Sequence, residues 1–307
     1  MAVYYFKDNR GNVGDDLNAL ILRHYFDLKK CEDAPFTLVG IGTLINNRLP
    51  SSKAFNFFTT GYGYQKPPNF SETSVSAIGL RGPMTLAKIR PFLEEDEQNI
   101  PLLDGAYLTP ELIVNDETPK AGRVGLIPHV DSMVVGRWQE IAKRGQFYLI
   151  DPRWEPRKFI SALTSCSAVI TEAMHGAILA DAYRVPWAGF AAYSHINTEK
   201  WFDWAESLSI PLKVTSVSPV FKGDEGLPFK SRFKNTIKRI AQTTNLYNSN
   251  WTLPPVARSN NTDMEITLSE LKQIAAGENY QLSDYAIVQE KLAHLKARIS
   301  EFNASKF

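Results

Sequence analysis

The sequence predicts an α/β fold of two Rossmann-like halves followed by a helical C-terminal tail. Short apolar runs typical of buried strands alternate with amphipathic segments, first between residues 3 and 90 and again between residues 123 and 190. This alternation is typical of parallel sheets whose strands are joined by helices. Because it occurs twice, we expect two sheets with a cleft between them.

The composition is that of a globular chain with a sizeable core. Its 307 residues suffice for two domains or one large one, and 44% of them are hydrophobic. The formal net charge of +1 gives no reason to expect a nucleic-acid partner. Neither a signal peptide nor an apolar run long enough to cross a bilayer is evident, so we expect a cytoplasmic protein.

The first half, residues 1–120, begins with a predicted strand and a polar loop at residues 7–15. A helix is expected from about residue 16 to residue 26, where apolar residues recur at helical spacing. Another helix follows Arg81-Gly82-Pro83, because proline suits the first helical turn. The predicted strands are residues 3–6, 36–41, 55–59 and 75–78.

The second half, residues 121–221, repeats the pattern after a predicted linker at residues 118–122. Helices are expected at residues 156–165 and after Met174-His175-Gly176. The predicted strands are residues 124–127, 147–150, 168–170 and 187–190.

The tail, residues 222–307, is predicted to be helical around a polar linker at residues 243–261. Thr267 and Glu270 form a capping-box pattern, which predicts a helix from Thr267 to a stop at Gly277. The last helix has a coiled-coil-like apolar stripe, which either packs on the chain's own core or forms a homo-oligomer. The stripe consists of Val288, Leu292, Leu295, Ile299 and Phe302.

A basic stretch at residues 230–239 surrounds Phe233, Ile237 and Ile240, which share one helix face. Two interpretations remain open. The helix either packs on the cleft with its basic face in solvent, or it rests on an anionic membrane surface.

His175 is predicted at the tip of a strand-to-helix turn, followed by Gly176. In open α/β sheets ligands bind there, outside the carboxyl ends of the strands. The free N–H groups and dipole of a helix start favour an anion. The alternative is a histidine that only caps a turn.

The segment Asn12-Val13-Gly14-Asp15-Asp16 lies between the first strand and the first helix. Of the two carboxylates, we expect one to cap the helix and the other to face the cleft, where it can bind a sugar hydroxyl or take its proton. The sequence does not decide between Asp15 and Asp16.

Arg81 and Lys200 are two further candidates for binding an anion. Arginine at a helix start offers a forked donor that suits a carboxylate or phosphate, whereas the alternative is a surface arginine. Lys200 follows the last strand of the second half, and its alternative is a solvated helix residue. No Walker loop, nucleophile elbow or metal-ligand spacing occurs, so neither a metal nor a cofactor is expected.

These segments together resemble the polysaccharide pyruvyl transferase family over residues 3–208. The resemblance depends on the Asn12–Asn18 and Arg81–Pro83 segments, on Leu103-Asp104-Gly105-Ala106 and Ile127-Pro128-His129-Val130-Asp131, and on residues 165–186. It is greatest to the branch that forms pyruvate ketals on bacterial exopolysaccharide subunits. The resemblance implies a GT-B-like fold, phosphoenolpyruvate as donor and a glycan acceptor, which we expect to be lipid-linked at the inner membrane face.

The resemblance also implies roles for matching residues. Asn12 and Asp15 would lie on the acceptor side, whereas Arg81 and His175 would bind or activate phosphoenolpyruvate. Lys200 matches less securely. Two other functions stay open: a nucleotide-sugar glycosyltransferase, which would share the fold, and a non-catalytic glycan-binding relative.

Overall fold

Two parallel β-sheets make up the framework of the computed structural model, which describes residues 3–63, 68–94, 99–114, 119–243, 255–277 and 279–306. The first sheet has the order β1-β2-β3-β4 and every neighbouring pair is parallel. Its strands are β1 (Val3–Tyr4), β2 (Thr37–Val39), β3 (Ala54–Thr60) and β4 (Ser74–Leu80). All four overlap the strands predicted from the apolar runs.

The helices of the first half are α1 (Val13–Tyr25), α2 (Leu28–Asp33), α3 (Pro83–Ile89) and α4 (Thr109–Leu112). Pro83 opens α3 as predicted. The predicted start of α1 near residue 16 is wrong, because Asn12 is the N-cap and its side chain accepts from the Gly14 N–H at 3.2 Å. Asparagine is among the best N-cap residues, so the helix begins three residues earlier.

The second sheet is also parallel and has the order β6-β5-β7-β8-β9. Its strands are β5 (Lys120–Ile127), β6 (Tyr148–Leu149), β7 (Cys166–Thr171), β8 (Trp187–Ala191) and β9 (Val214–Ser216). Its helices are α5 (Val130–Val135), α6 (Trp138–Gly145), α7 (Pro156–Thr164), α8 (Met174–Ala182) and α9 (Glu199–Ser207). Strand β9 was not predicted from the sequence.

The two sheets share part of their hydrophobic core. One buried cluster includes Ile41 and Phe58 beside the first sheet and Leu163 and Ile178 beside the second. The Val13 N–H also donates to the Pro152 carbonyl at 2.8 Å across the two halves. The predicted division after residue 120 falls at the start of β5, and part of the predicted linker lies outside the described residues.

The tail adds α10 (Phe229–Thr243), α11 (Asn261–Ala276) and α12 (Tyr285–Lys306). The predicted start at Thr267 is wrong, because Asn260 and Asp263 form the capping box seven residues earlier. Thr267 is buried inside α11 and donates to the Ser218 carbonyl at 2.8 Å. Gly277 ends the helix as predicted. Most of the predicted linker, residues 244–254, lies outside the described part of the chain.

The apolar stripe of α12 packs on the chain's own core, one of the two alternatives left open by its sequence. Phe302 makes edge-to-face contacts with Phe26 and Phe36 of the first half. Leu295 is fully buried beside Gly79 of β4. Because this stripe is covered within one chain, it is not free to join a second copy.

Among the residues that the structure describes, no helix is both long and apolar enough to pass through a bilayer.

Leu295→Ala tests the packing of α12. We expect the free energy of unfolding to fall by about 2–5 kcal/mol, because the change leaves a cavity under the helix. Urea denaturation measures the loss, and His294→Ala on the exposed side of α12 should change little. A change of oligomeric state without loss of stability would contradict this packing.

Candidate active site

A cavity of about 520 Å³ is lined by residues from both halves of the chain. The first half contributes the segment after β1, including Asn12 and Asp15. The second half contributes the residues that follow β5, β7 and β8, among them His175 and Lys200. The carboxyl ends of parallel strands therefore form the walls of the cavity, as expected for a ligand site in such sheets.

His175 lies in the first turn of α8, directly against Gly14 of α1. A Cβ added at Gly14 would lie 2.0 Å from His175 Nδ1, so only glycine permits this approach. The His175 side chain is 14% exposed. Burial lowers the pKa of His175, and the positive charges of Lys200 and Arg81 lower it further. Asp104 opposes this shift, so the neutral imidazole is favoured before any ligand binds.

Asp104 is the nearest acid to His175 recorded in the structure. Its Oδ2 lies 4.0 Å from His175 Nε2, and within the described part of the chain neither atom has a hydrogen-bond partner. Asp104 Oδ1 is held in place because it accepts from the Ala106 N–H at 2.9 Å. This separation is longer than a hydrogen bond. It still favours the tautomer with a proton on Nε2 and stabilises the protonated ring.

Asp15 and Asp16 have different roles, which the sequence left open. Asp15 lines the cavity and its Oδ2 accepts from Asn12 Nδ2 at 2.8 Å. Asp16 Oδ2 accepts from the Asn12 N–H at 3.3 Å and so supports the start of α1. Burial raises the pKa of Asp15 to about 7, with the charges of Asp16 and Asp8 adding to the shift. A carboxyl group with this pKa is suited to exchange protons near neutral pH.

Lys200 lies in the first turn of α9 and lines the cavity, so the alternative of a solvated helix residue is wrong. Burial lowers the pKa of Lys200 to about 8, and the positive charge of Arg81 contributes. Asp15 and Asp131 oppose the shift. At neutral pH the ammonium group therefore remains largely protonated and can bind an anion.

Arg81 is fully buried, so the alternative of a surface arginine is wrong. Its Nε donates to Asp203 Oδ2 at 3.0 Å, and its other nitrogens donate to Thr43 Oγ1 and the Tyr62 carbonyl. Asp203 also accepts from the Thr85 N–H and hydroxyl. The structure does not bring the Arg81 guanidinium to the cavity wall. Instead, the ion pair ties α3 to α9, the helix that carries Lys200.

Gly176 also lies behind the wall rather than on it. A Cβ at this position would lie 2.4 Å from Thr171 Oγ1, at the end of β7. Gly176 therefore permits the tight turn from β7 into α8, and this turn places His175. Its role as predicted from the sequence, direct contact with substrate, stays a prediction.

Glu172 is buried in the wall at the end of β7. Its carboxylate accepts from the His129 N–H at 3.1 Å and from the Ala192 N–H at 2.9 Å. Because these groups follow β5 and β8, Glu172 holds the ends of three neighbouring strands together. Burial raises the pKa of Glu172.

Several polar residues of the cavity were not assigned roles from the sequence, among them Arg10, His129 and His195. Arg10 donates to Asp131 Oδ1 at 2.8 Å, and His195 Nε2 lies 3.2 Å from the Ser132 hydroxyl. Burial and the charge of Lys200 lower the pKa of His129 to about 4. His129 comes two residues after the predicted strand 124–127, so the argument that selected His175 could also have selected it.

His129, Asp131 and His195 are the residues best placed to hold a metal ion in the described ranges. One ligand atom from each lies within 4.8 Å of the others. Two imidazoles and a carboxylate suit zinc or a similar transition metal. However, Asp131 is paired with Arg10, and Lys200 lies near His129. This positive surrounding favours an anion over a cation.

Comparison with known proteins identifies the family. A sequence model described as polysaccharide pyruvyl transferase matches residues 105–194. The succinoglycan biosynthesis protein ExoV of Rhizobium meliloti (strain 1021) is 34% identical over 236 residues, which cover 76% of this chain and 72% of that protein. The chain belongs to the polysaccharide pyruvyl transferase family. It is therefore a transferase, and no solved structure matches it.

The family match places part of the cavity of this pyruvyl transferase inside the matched region. Residues 105–194 include His129, Glu172 and His175. Asn12, Asp15 and Lys200 lie outside that region and are brought to it by the fold. The cavity therefore combines residues inside the region matched by the family model with residues outside it, which were identified from sequence motifs and from the structure.

Asp104→Asn tests the pairing with His175. We expect kcat to fall about 10- to 100-fold, because general acid–base catalysis is worth roughly 10² to 10⁴ and its orientation is only partly lost. The pKa of His175 should fall further without the nearby negative charge, which moves the pH dependence of kcat to lower pH. Steady-state kinetics against pH measure both effects.

Asp27→Asn is the matched control, because Asp27 is the N-cap of α2 and does not line the cavity. A normal kcat and an unchanged pH profile for the Asp104→Asn enzyme would show that Asp104 has no role in catalysis at this site.

Proposed function

We propose that this cavity transfers pyruvate from phosphoenolpyruvate to two hydroxyls of a sugar on a lipid-linked exopolysaccharide subunit, forming a pyruvate ketal. One observation carries the proposal. A single cavity brings Asp15 of the first half together with His175 and Lys200 of the second, in a member of the pyruvyl transferase family. The relative's role in succinoglycan biosynthesis supports a glycan as acceptor.

The reaction needs one proton donor, one proton acceptor and a site for phosphate. The methylene carbon of phosphoenolpyruvate takes a proton, which leaves the ketal carbon open to attack by the first sugar hydroxyl. The second hydroxyl then displaces inorganic phosphate. Two C–O bonds to the sugar form, the C–O bond to phosphate breaks, and one hydroxyl proton leaves with phosphate.

His175 is the proposed donor of the proton to the methylene carbon. Its pKa is lowered in the structure. The negative charge of bound phosphoenolpyruvate would raise that pKa toward neutrality, since a nearby opposite charge favours the protonated ring. Asp104 acts in the same direction. Protonated His175 would therefore form where the donor binds.

Asp15 is the proposed base for the acceptor hydroxyl, with Asn12 holding its carboxylate in place. Lys200 is the proposed ligand for the donor phosphate. The other positively charged side chains of the cavity wall would also attract the phosphate group. Arg81 contributes in this proposal by holding α9 through Asp203, not by touching the donor. No metal or cofactor has a part in the proposed reaction.

The proposed reaction differs from the two alternatives in what it consumes. A glycosyltransferase of the same fold would use a nucleotide sugar, and a glycan-binding relative would turn nothing over. Family membership favours pyruvyl transfer over both. A lipid-linked acceptor would place the protein in the cytoplasm, at the inner face of the membrane.

The deciding experiment incubates the protein with phosphoenolpyruvate and lipid-linked oligosaccharides. We expect phosphate release together with a mass gain of one ketal-linked pyruvate on the glycan. His175→Gln should abolish both, and EDTA should leave both unchanged. Consumption of a UDP-sugar without phosphate release would favour the glycosyltransferase. Loss of activity in EDTA that a transition metal restores would assign a metal to His129, Asp131 and His195.

Asp15 and Lys200 are two of the groups with shifted pKa values that set the pH dependence of kcat/KM, together with His175, which must be protonated to act as the donor. Asp15 must be deprotonated to act as a base, so the rate should fall below about pH 7. Lys200 must be protonated to bind phosphate, so the rate should fall above about pH 8.

Lys200→Arg separates the two limbs of this profile. The guanidinium stays charged, so the fall above pH 8 should move to higher pH while the fall below pH 7 remains. Asp15→Asn should instead remove the lower limb at a much reduced rate. A Lys200→Arg profile identical to that of the wild type would exclude Lys200 from donor binding.

A further inference from the structure

Helix α10 presents its apolar side chains to solvent. Phe229, Phe233, Ile237 and Ile240 are 80%, 61%, 46% and 58% exposed. At 3.6 residues per turn these four lie within an arc of about 80°, so they form one continuous face. Large apolar residues that cluster in this way on a surface mark an interaction site.

The opposite side of α10 is polar and is the side that contacts the protein. Asn235 donates to Asp224 Oδ1 at 2.7 Å, and Arg239 donates to Asp224 Oδ2 at 2.6 Å and to the Pro255 carbonyl at 2.7 Å. A surface helix ordinarily turns its apolar face to the core. In α10 this arrangement is reversed, which contradicts the interpretation that its apolar face packs on the cleft with a solvated basic face.

Basic residues border the exposed apolar face on both sides. Lys230 and Lys234 lie along one edge and Arg232 along the other, and all three are exposed. The sequence of α10 contains neither aspartate nor glutamate. A second copy docked through the same face would place these cations against one another, so charge disfavours a homodimer there. The face is instead complementary to a surface that is apolar inside and negatively charged outside.

The chain that leads into α10 passes near the cavity. The Lys222 N–H donates to the carbonyl of Val135, the last residue of α5, at 2.9 Å. Val130, the first residue of α5, lines the cavity. Six helical residues span about 9 Å, so Lys222, seven residues before α10, lies a short distance from the cavity wall.

We propose that α10 binds an anionic bilayer, with Phe229, Phe233, Ile237 and Ile240 among the lipid headgroups and Lys230, Arg232 and Lys234 on lipid phosphates. The binding itself does not depend on the proposed reaction. Membrane binding would serve to bring a lipid-linked acceptor to the cavity, and this purpose rests on the proposed function. Such attachment is reversible and weakens with salt.

Co-sedimentation of the full chain tests the proposal, with phosphatidylcholine vesicles compared with vesicles that also contain phosphatidylglycerol. We expect binding only to the anionic vesicles and release at high salt. Lys230→Gln with Lys234→Gln should weaken partitioning about 30-fold, from about 1 kcal/mol for each basic residue. Phe233→Ser with Ile237→Ser should abolish it.

Ile266→Ser with Lys272→Gln on α11 is the matched control, since both residues are exposed on a different helix. It should bind vesicles as the wild type does. No sedimentation of the wild type with anionic vesicles at low salt would overturn the proposal, as would full binding by the Phe233→Ser, Ile237→Ser variant. A dimer in light scattering that this variant dissociates would instead assign the face to a second copy.

The failure of this proposal can be told from failure of the proposed function. Phosphate release is measured in parallel with a detergent-solubilised acceptor and no vesicles. We expect the Phe233→Ser, Ile237→Ser variant to match the wild type there. Turnover without vesicle binding would support the proposed reaction and contradict only the proposal that α10 binds a membrane.

Discussion

The site depends on how closely the two halves of the chain approach one another. Beside the cavity, Gly14 leaves no room for a Cβ against the ring of His175. At Gly82 a Cβ would lie 1.8 Å from the Asp203 carbonyl oxygen, so α3 and α9 meet backbone to backbone. A shared apolar cluster fills the space behind these contacts. Because the halves touch at glycines, side chains from both can reach one small cavity.

Burial in that cavity moves the pKa values of a carboxyl group and an amino group toward neutral pH from opposite directions. It raises the pKa of Asp15 and lowers that of Lys200, and each charge partly offsets the shift of the other. His175 is left neutral until an anion arrives. A site of this kind can hold a negatively charged donor and exchange protons with it, which pyruvyl transfer requires and simple glycan binding does not.

The sequence was sufficient for the described strands other than β9 and for the turn that carries His175, because buried parallel strands are short apolar runs with distinct ends. The sequence was not sufficient where contacts with residues distant in the chain determine the role of a side chain or the start of a helix. Arg81 looks like an anion ligand until Asp203, 122 positions later, is seen to pair with it. The start of α11 was misplaced because Thr267 and Glu270 imitate a capping box, although both bond to Ser218. His129 and His195 meet only through the fold.

The exposed face of α10 could not be deduced from its amphipathic pattern alone. Its sequence has an apolar side and a basic side, and either could have been buried. Hydrogen bonds of Asn235 and Arg239 to Asp224 determine which side faces the protein. Residue periodicity identifies the two sides of a helix, whereas the partners available nearby decide their orientation.

The central claim is that phosphoenolpyruvate binds in the cavity beside His175. The most direct measurement is an NMR titration of the histidine-¹⁵N-labelled protein with phosphoenolpyruvate. Of its five histidines, His129, His175 and His195 line the cavity, whereas His24 and His294 are exposed elsewhere. We predict saturable shifts for the first three, with His175 moving toward the protonated form, and none for the other two. Unchanged signals from His175, or equal shifts of all five, would contradict the account.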